Sequence, residues 1–255
     1  MEHCSCIVLS VLPYRETSAI ITLLSRTHGR VGGIAKGIRR EKKASLPLER
    51  GQIIDVVLYY RPHRELHTMS QISIVNFFGA IRSSLGKLAV RDAALEIALK
   101  TLSATEAHPE LFDFAGAFLA RLEAAPEGGV PLPLLWRFFA GWSALLGFRI
   151  NLEACVRCGS DRILVEGGRL SPDQDGIICT RCLPSTNGSR SIIPAPVLRH
   201  IREPDAFGKE MNGSVLPGLS DAMTITDVFA DYVRYHFDIR GELKTMGFLR
   251  SMLTA

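Results

Sequence analysis

Two pairs of cysteines constrain this chain more than any other feature. Cys155 and Cys158 form one Cys-x2-Cys pair, and Cys179 and Cys182 form a second pair after twenty intervening residues. Each pair can reach one ion from a tight turn, and Gly159 tolerates the positive φ that such a turn often needs. Four thiolates close a tetrahedron without an open position, so the pattern predicts one structural Zn²⁺. Iron in the same sulfur cage and a redox-active dithiol remain open as alternatives.

The segment between the two pairs is predicted to be a β-hairpin ribbon that returns the second pair to the first. Residues 163–166 and 169–171 flank a Gly-Gly turn at 167–168, and residues 173–178 lead back to Cys179. Asp173 and Asp175 have the spacing of a metal-dependent nuclease pair. Their setting, Ser-Pro-Asp-Gln-Asp-Gly, is typical of a turn, and we favour that interpretation.

The first 79 residues alternate short β-rich runs with turn signals. Five strands are predicted, at residues 6–12, 19–25, 30–36, 52–60 and 66–75. Five strands in so short a segment favour a small barrel. Gly32 and Gly33 inside the third strand predict a bulge, or a sharp coil where the sheet closes on itself. The period of two in the fourth strand turns Tyr60 inward and Tyr59 outward.

From residue 77 onward the apolar period becomes helical. Helices are predicted through residue 102, at 111–122, at 134–146, from Asp221 or Thr224 to 237, and at 242–252, with loops at 184–196 and 204–217. The fold class is therefore α+β and multidomain. We expect a barrel at 1–79, a helical body at 80–150 and 191–255, and an inserted zinc ribbon with four cysteine ligands at 151–190. The stripe of Trp136, Phe138, Phe139 and Trp142 is expected in the core.

The chain's positive charge is concentrated at its N-terminal end. Residues 1–79 contain eleven lysines and arginines against six acidic residues, while the remainder carries nineteen against twenty. Such an imbalance favours a polyanionic partner, although a solvated basic face is the alternative. We predict phosphate contacts from a basic set with Tyr59 as a base-stacking platform, and the basic set is Arg30, Lys36, Arg39, Arg40, Lys42 and Lys43. His63 and His67 are expected to extend this basic surface.

Several classes of protein find no support in the sequence. No apolar run reaches the ~18 residues of a membrane span, and the start lacks the pattern of a secretion signal, so we expect a cytoplasmic protein without a membrane partner. Nucleotide-binding and hydrolytic motifs are also missing, which predicts that the chain is not an enzyme. A zinc-containing interaction scaffold without DNA binding and, less favoured, a zinc-dependent hydrolase remain as alternatives. The hydrolase would need an open coordination position, for which we find no residues.

The chain resembles the bacterial recombination mediator family RecO. The resemblance rests on motifs spread along the sequence, namely Ile7-Val8-Leu9, Tyr14-x-Glu16-Thr17, Thr27-His28-Gly29, Ala35-Lys36-Gly37-x-Arg39-Arg40, the four cysteines, and Leu243-Lys244-Thr245-Met246-Gly247-Phe248-Leu249. It implies an N-terminal OB-fold and an inserted zinc module. It also implies binding of single- and double-stranded DNA, strand annealing without ATP, and recombinase loading at the nucleoid. The implied partners are RecR and the C-terminal tail of the single-strand-binding protein.

Overall fold

The computed structural model describes residues 1–39, 47–61, 64–103, 106–183, 192–202 and 217–254. The chain forms two compact units, residues 1–128 and residues 129–255. Each unit has its own arrangement of helices and strands. The finer division into four domains that the sequence suggests stays a prediction.

Five strands close a barrel in the first unit, as predicted. They are β1 (Glu2–Tyr14), β2 (Ser18–Ser25), β3 (Gly29–Ala35), β4 (Ile53–Tyr59) and β5 (Leu66–Asn76). Around the barrel the order is β1-β2-β3-β5-β4, and every neighbouring pair is antiparallel except β3 and β5, which run parallel. A closed barrel has no free edge, because each of its five strands has a hydrogen-bonded neighbour on both sides. Five strands closed in this way form the OB-type barrel.

Alternate residues of the strands fill the interior of the barrel. In β4, Ile54, Val56 and Leu58 lie in the core, Tyr60 packs against it from the end of the strand, and Tyr59 is exposed, as the period of two predicts. Cys4 and Cys6 of β1 belong to the same core.

The predicted bulge at Gly32 and Gly33 is wrong. Both glycines pair residue for residue with β2 and β5, and the register shift on this side lies between Val8 and Ser10 of β1. The other part of the prediction, that the glycines lie where the sheet closes on itself, agrees with their pairing with β5, where they allow a close approach. A Cβ atom on Gly33 would overlap the side chain of Met69, the β5 residue that fills this part of the interior.

Three helices complete the first unit: α1 (Gly79–Ser83), α2 (Leu85–Thr101) and α3 (Pro109–Ala124). The end of α3 is tied to the starts of the other two. The Glu123 carboxylate accepts hydrogen bonds from the backbone N–H groups of Ala80 and Ile81, at 2.9 and 2.8 Å. The buried Lys87 ammonium donates to the Glu123 carbonyl oxygen at 2.9 Å. Because free N–H and C=O groups at helix ends need partners, these bonds hold the helices in place.

The second unit is built from α4 (Leu132–Leu145), α5 (Ile163–Glu166), β6 (Gly168–Ser171), β7 (Gly176–Cys179), α6 (Ala195–Arg202), α7 (Leu219–His236) and α8 (Lys244–Thr254). The predicted aromatic core of α4 is confirmed, because all four rings are buried. Trp136 also donates its indole N–H to the Thr226 hydroxyl of α7 at 2.8 Å. The predicted caps of α7 are wrong: its N-cap is Gly218, and Asp221 and Thr224 lie inside the helix.

The predicted layout of the ribbon needs a correction. Residues 163–166 form the short helix α5, and the hairpin is β6 with β7. Its turn contains Pro172–Gln174 and Asp175, which adopts φ 50°, so the turn interpretation of the two aspartates is confirmed. The prediction failed because three successive apolar residues in a four-residue segment carry no period that separates helix from strand.

None of the helices in the described part of the chain is both long and apolar enough to cross a bilayer.

Candidate metal centre and nucleic-acid interface

The four predicted metal ligands converge at one point of the second unit. Their sulfur atoms all lie within 4.8 Å of one another, and the Sγ atoms of Cys158 and Cys179 are 3.8 Å apart. A disulfide requires an S–S distance of roughly 2.05 Å, and none of these cysteines is paired in one. Sulfurs bound tetrahedrally to one Zn²⁺ at about 2.3 Å lie about 3.8 Å apart. The spacing of the thiols therefore matches a tetrahedral metal site.

Local backbone structure explains how the thiols are brought together. In the first pair, the Gly159 N–H donates to the Cys155 carbonyl at 2.8 Å, and Gly159 itself has φ 70°. Cys179 ends β7, and its backbone N–H donates to the Cys155 sulfur at 3.3 Å. The Val156 N–H donates to the carbonyl of Ile177 at 3.0 Å, which fixes the first turn against β7. Cys182 follows in a single 3₁₀ turn.

The sulfur atoms of this cluster differ in their affinity for protons. Burial would raise the pKa of Cys155, but N–H groups of Cys179, Cys158 and Arg157 donate to its sulfur and lower the pKa to about 6. The pKa of Cys182 is raised to about 12, first by its thiol's hydrogen bond with Cys158 and then by that with Cys179. Cys155 and Cys158 are buried and exposed respectively, so the cluster opens to solvent on one side.

The predicted DNA-binding residues on the barrel fall into three groups. Lys36 and Arg39 are exposed where the chain leaves β3, and the Arg39 N–H donates to the Thr17 carbonyl at 3.0 Å. Arg40, Lys42 and Lys43 lie outside the described residues. Arg30 has a structural bond, because its guanidinium donates to the Leu99 carbonyl near the end of α2 at 3.0 Å.

Tyr59 lines a surface pocket that the sequence did not reveal. The pocket has a volume of about 190 Å³ and is formed where β4 leads into β5. Its other walls are Arg61, Arg64, Leu66, His67 and Thr68. Tyr59 is 42% exposed there. Two guanidinium groups and an accessible aromatic ring at one pocket are the groups that contact a nucleotide's phosphate and base. The two arginines were visible in the sequence, but only as part of a hairpin connection.

His67 does not extend the basic surface as expected. Its side chain is buried, and burial, followed by the nearby charge of His28, lowers its pKa. Its Nδ1 atom accepts the backbone N–H of Arg61 at 3.2 Å, and its ring packs against Tyr60 with centroids 4.7 Å apart. A neutral, hydrogen-bonded ring supports the pocket wall and contributes no positive charge. His63 lies outside the described residues.

Comparisons with known proteins agree with this architecture. The family model described as Recombination protein O N terminal matches residues 1–78, and the model described as Recombination protein O C terminal matches residues 82–202. DNA repair protein RecO of Anaeromyxobacter dehalogenans (strain 2CP-C) is 32% identical over 181 residues, which cover 70% of this chain and 69% of that protein. The chain belongs to the RecO family. The resemblance predicted from the sequence motifs is thereby confirmed, and with it a role in DNA repair and recombination.

Two further members of the RecO family match this chain. DNA repair protein RecO of Geobacter metallireducens (strain ATCC 53774 / DSM 7210 / GS-15) is 33% identical over 178 residues, 69% of this chain and 70% of that protein. The protein of the same description from Anaeromyxobacter sp. (strain Fw109-5) is 26% identical over 239 residues, 92% of this chain and 90% of that protein. The last match extends the RecO likeness across almost the whole chain.

Proposed function

We propose that this RecO family protein binds single- and double-stranded DNA on its barrel, anneals complementary strands without ATP, and helps to load recombinase onto coated single strands. The observation that carries the proposal is the pocket where the exposed ring of Tyr59 lies beside Arg61 and Arg64. This pocket belongs to an OB-type barrel whose segment holds the chain's excess of basic residues. Strand faces and loops of OB-folds are a common oligonucleotide-binding surface.

Each group on this surface has a distinct task. Arg61 and Arg64, together with the basic run from Lys36 to Lys43, would neutralise backbone phosphates and release their counterions. Tyr59 would stack on a base, a contact that any base can make and that therefore gives no sequence preference. Holding two strands against one basic surface screens their mutual repulsion. Annealing then needs no covalent step, which agrees with the proposal that the protein is not an enzyme.

Membership of the family supports a proposal of two protein partners. We propose RecR and the single-strand-binding protein, with the acidic C-terminal tail of the latter docking on the helical body. Both partners fit a mediator that must reach DNA already covered by protein. The activity implies a location at the nucleoid, in the cytoplasm.

The four cysteines fit one structural Zn²⁺ ion. Three observations agree with a closed site of four thiolates: the sulfur spacing, the two turns that present the cysteines, and the hairpin between the pairs. Cys155, Cys158, Cys179 and Cys182 would hold the ion, which would supply folding free energy to the second unit and no reaction chemistry.

A titration with a fluorescent single-stranded oligonucleotide at several salt concentrations tests the proposed DNA binding. We expect the logarithm of the affinity to fall linearly with the logarithm of the salt concentration, with a slope of about −0.7 for each phosphate contacted. An annealing assay on complementary strands without nucleotide should show acceleration by the same protein. Failure to bind the oligonucleotide at low salt would contradict the proposal and favour a protein-interaction scaffold.

A further inference from the structure

Three metal-binding side chains of different chemistry meet on the barrel, in addition to the four-cysteine cluster of the second unit. Glu2 and Cys4 lie on β1, and His28 lies in the turn between β2 and β3. One ligand atom from each residue lies within 4.8 Å of the other two. The shortest contacts are 2.8 Å from Glu2 Oε2 to His28 Nε2 and 3.8 Å from Cys4 Sγ to His28 Nδ1. Oxygen, nitrogen and sulfur are together a donor set that Zn²⁺ accepts.

The hydrogen bonds of Thr27 orient the His28 ring. The Thr27 hydroxyl donates to Cys4 Sγ at 3.8 Å and lies 2.8 Å from His28 Nδ1. A metal ion on Nε2 would leave the ring proton on Nδ1, where the Thr27 oxygen can accept it while the hydroxyl hydrogen points to Cys4 Sγ. Nε2 lies 2.8 Å from the Glu2 carboxylate oxygen, so both atoms face the position that the ion would take. Without an ion, a proton on Nε2 makes the same contact.

We propose that Glu2, Cys4 and His28 form a second metal site, which binds Zn²⁺ with a water molecule in the fourth position. Zinc bonds of about 2.0–2.3 Å to these three atom types require ligand atoms roughly 3.3–3.8 Å apart. The carboxylate of Glu2 is half-exposed, so it can withdraw by the small distance that an ion requires. Thr27 takes the place of the partner that holds the second nitrogen of a metal-bound histidine.

The burial of the ligands is that of a partly enclosed site. Cys4 is buried in the barrel core, and the side chain of His28 is 15% exposed. The His28 ring also packs against Tyr60, with centroids 4.5 Å apart. Tyr60 in turn packs against His67, which lines the surface pocket beside Tyr59. The proposed site therefore lies between the barrel core and solvent, with Glu2 as its most exposed ligand.

Zinc content at equilibrium with micromolar free Zn²⁺ tests the proposal on the full chain. We expect two ions per chain in the native protein and one in Glu2→Gln and His28→Gln, which remove a ligand without a large change of volume. Cys158→Ser should lose only the ion of the four-cysteine cluster. The two sites are therefore distinguished even if one of them binds no metal. Thr27→Val should keep all three ligands but bind the second ion about 10- to 100-fold more weakly.

His3 supplies the matched control, since it is an exposed histidine next to Glu2 on the same strand. His3→Ala should retain both ions, because the exposed ring is not part of the set. With Co²⁺ in place of zinc, the second equivalent should add a thiolate charge-transfer band that Cys4→Ala removes. A single ion in the native protein, or a second ion that survives both Glu2→Gln and His28→Gln, would overturn the site. The three residues would then be a histidine–carboxylate hydrogen bond beside a buried thiol.

Discussion

The Cβ atom that Gly29 lacks would overlap the backbone carbonyl of Glu106. Gly29 opens β3 with φ 63°, and Glu106 lies between α2 and α3. The β2–β3 turn thus approaches the helix connection within the first unit so closely that no side chain fits. Both the backbone conformation and the contact require glycine at this position.

Gly29→Ala should destabilise the first unit. A left-handed conformation costs a non-glycine residue about 1–2 kcal/mol, and an overpacked contact adds roughly 1–3 kcal/mol. We therefore expect the free energy of unfolding, measured by urea denaturation, to fall by about 2–5 kcal/mol. Gly116→Ala is the matched control, because no atom lies within 4 Å of its Cβ position in α3. It should raise helix stability by up to about 1 kcal/mol, and equal effects of the two changes would contradict the contact with Glu106.

Cys158→Ser should abolish metal binding at the four-cysteine cluster of the second unit. Structural zinc contributes on the order of 10 kcal/mol in small zinc-binding domains, so we expect at least the hairpin and its two cysteine turns to unfold. Elemental analysis and the thermal transition of the second unit measure these two effects. Cys6→Ala, which removes a barrel thiol outside the four-cysteine cluster, should leave the ion of that cluster in place. Native protein that contains neither zinc nor iron and has its thiols paired as disulfides would contradict this prediction.

Changing Arg39, Arg40, Lys42 and Lys43 together to alanine should flatten the salt dependence of single-strand binding. Each lost phosphate contact removes about 0.7 from the slope, so the expected change is about two to three units. Arg240, whose side chain is 91% exposed in the second unit, is a control whose change to alanine should leave the slope unaltered. If the quadruple variant binds like the native protein, the basic run is a solvated face.

Arg61→Ala with Arg64→Ala tests the pocket independently of the basic run. If both guanidinium groups contact phosphate, the slope should decrease by about 1.4 units. Salt titrations of this double variant and of the quadruple variant can be compared directly. A normal slope with a weakened affinity would show that the arginines shape the pocket without contacting phosphate.

Tyr59→Ala should weaken DNA binding by about 1–3 kcal/mol with little change in slope, because stacking releases no counterions. Tyr59→Phe keeps the ring and should bind nearly as well as the native protein. The same oligonucleotide titration measures both variants. An equal loss in the two variants would mean that the hydroxyl group, and not the stacked ring, makes the contact.

Regular patterns allowed much of the fold to be predicted. The five strands follow from their turn residues and their alternation of apolar and polar residues. The four-cysteine cluster follows from the spacing of its cysteines alone, because two tight turns can present four sulfurs to one point. The exposed face of Tyr59 followed from the period of two in β4.

Features that depend on distant contacts could not be predicted. His67 looked like a surface cation until the fold buried it against Tyr60. The sequence also did not show that the C-terminal end of α2 supplies a carbonyl that accepts from the Arg30 guanidinium, and the phosphate contact of Arg30 stays a prediction. Helix α6 was missed because it has only eight residues and its first turn contains Pro196, the end of a proline-rich stretch that is typical of a loop.

The parallel pairing of β3 with β5 has a consequence for synthesis on the ribosome. Chains emerge N-terminus first, and β1, β2 and β3 can pair as soon as residue 35 has left the exit tunnel. The barrel cannot close until β5 has emerged, because β5 lies between β3 and β4 in the sheet. Until then the nascent sheet has two unpaired edges: one is on β3, and the other is on β1 until β4 pairs with it and on β4 afterwards. A pause in translation within this interval would expose those edges to other nascent chains.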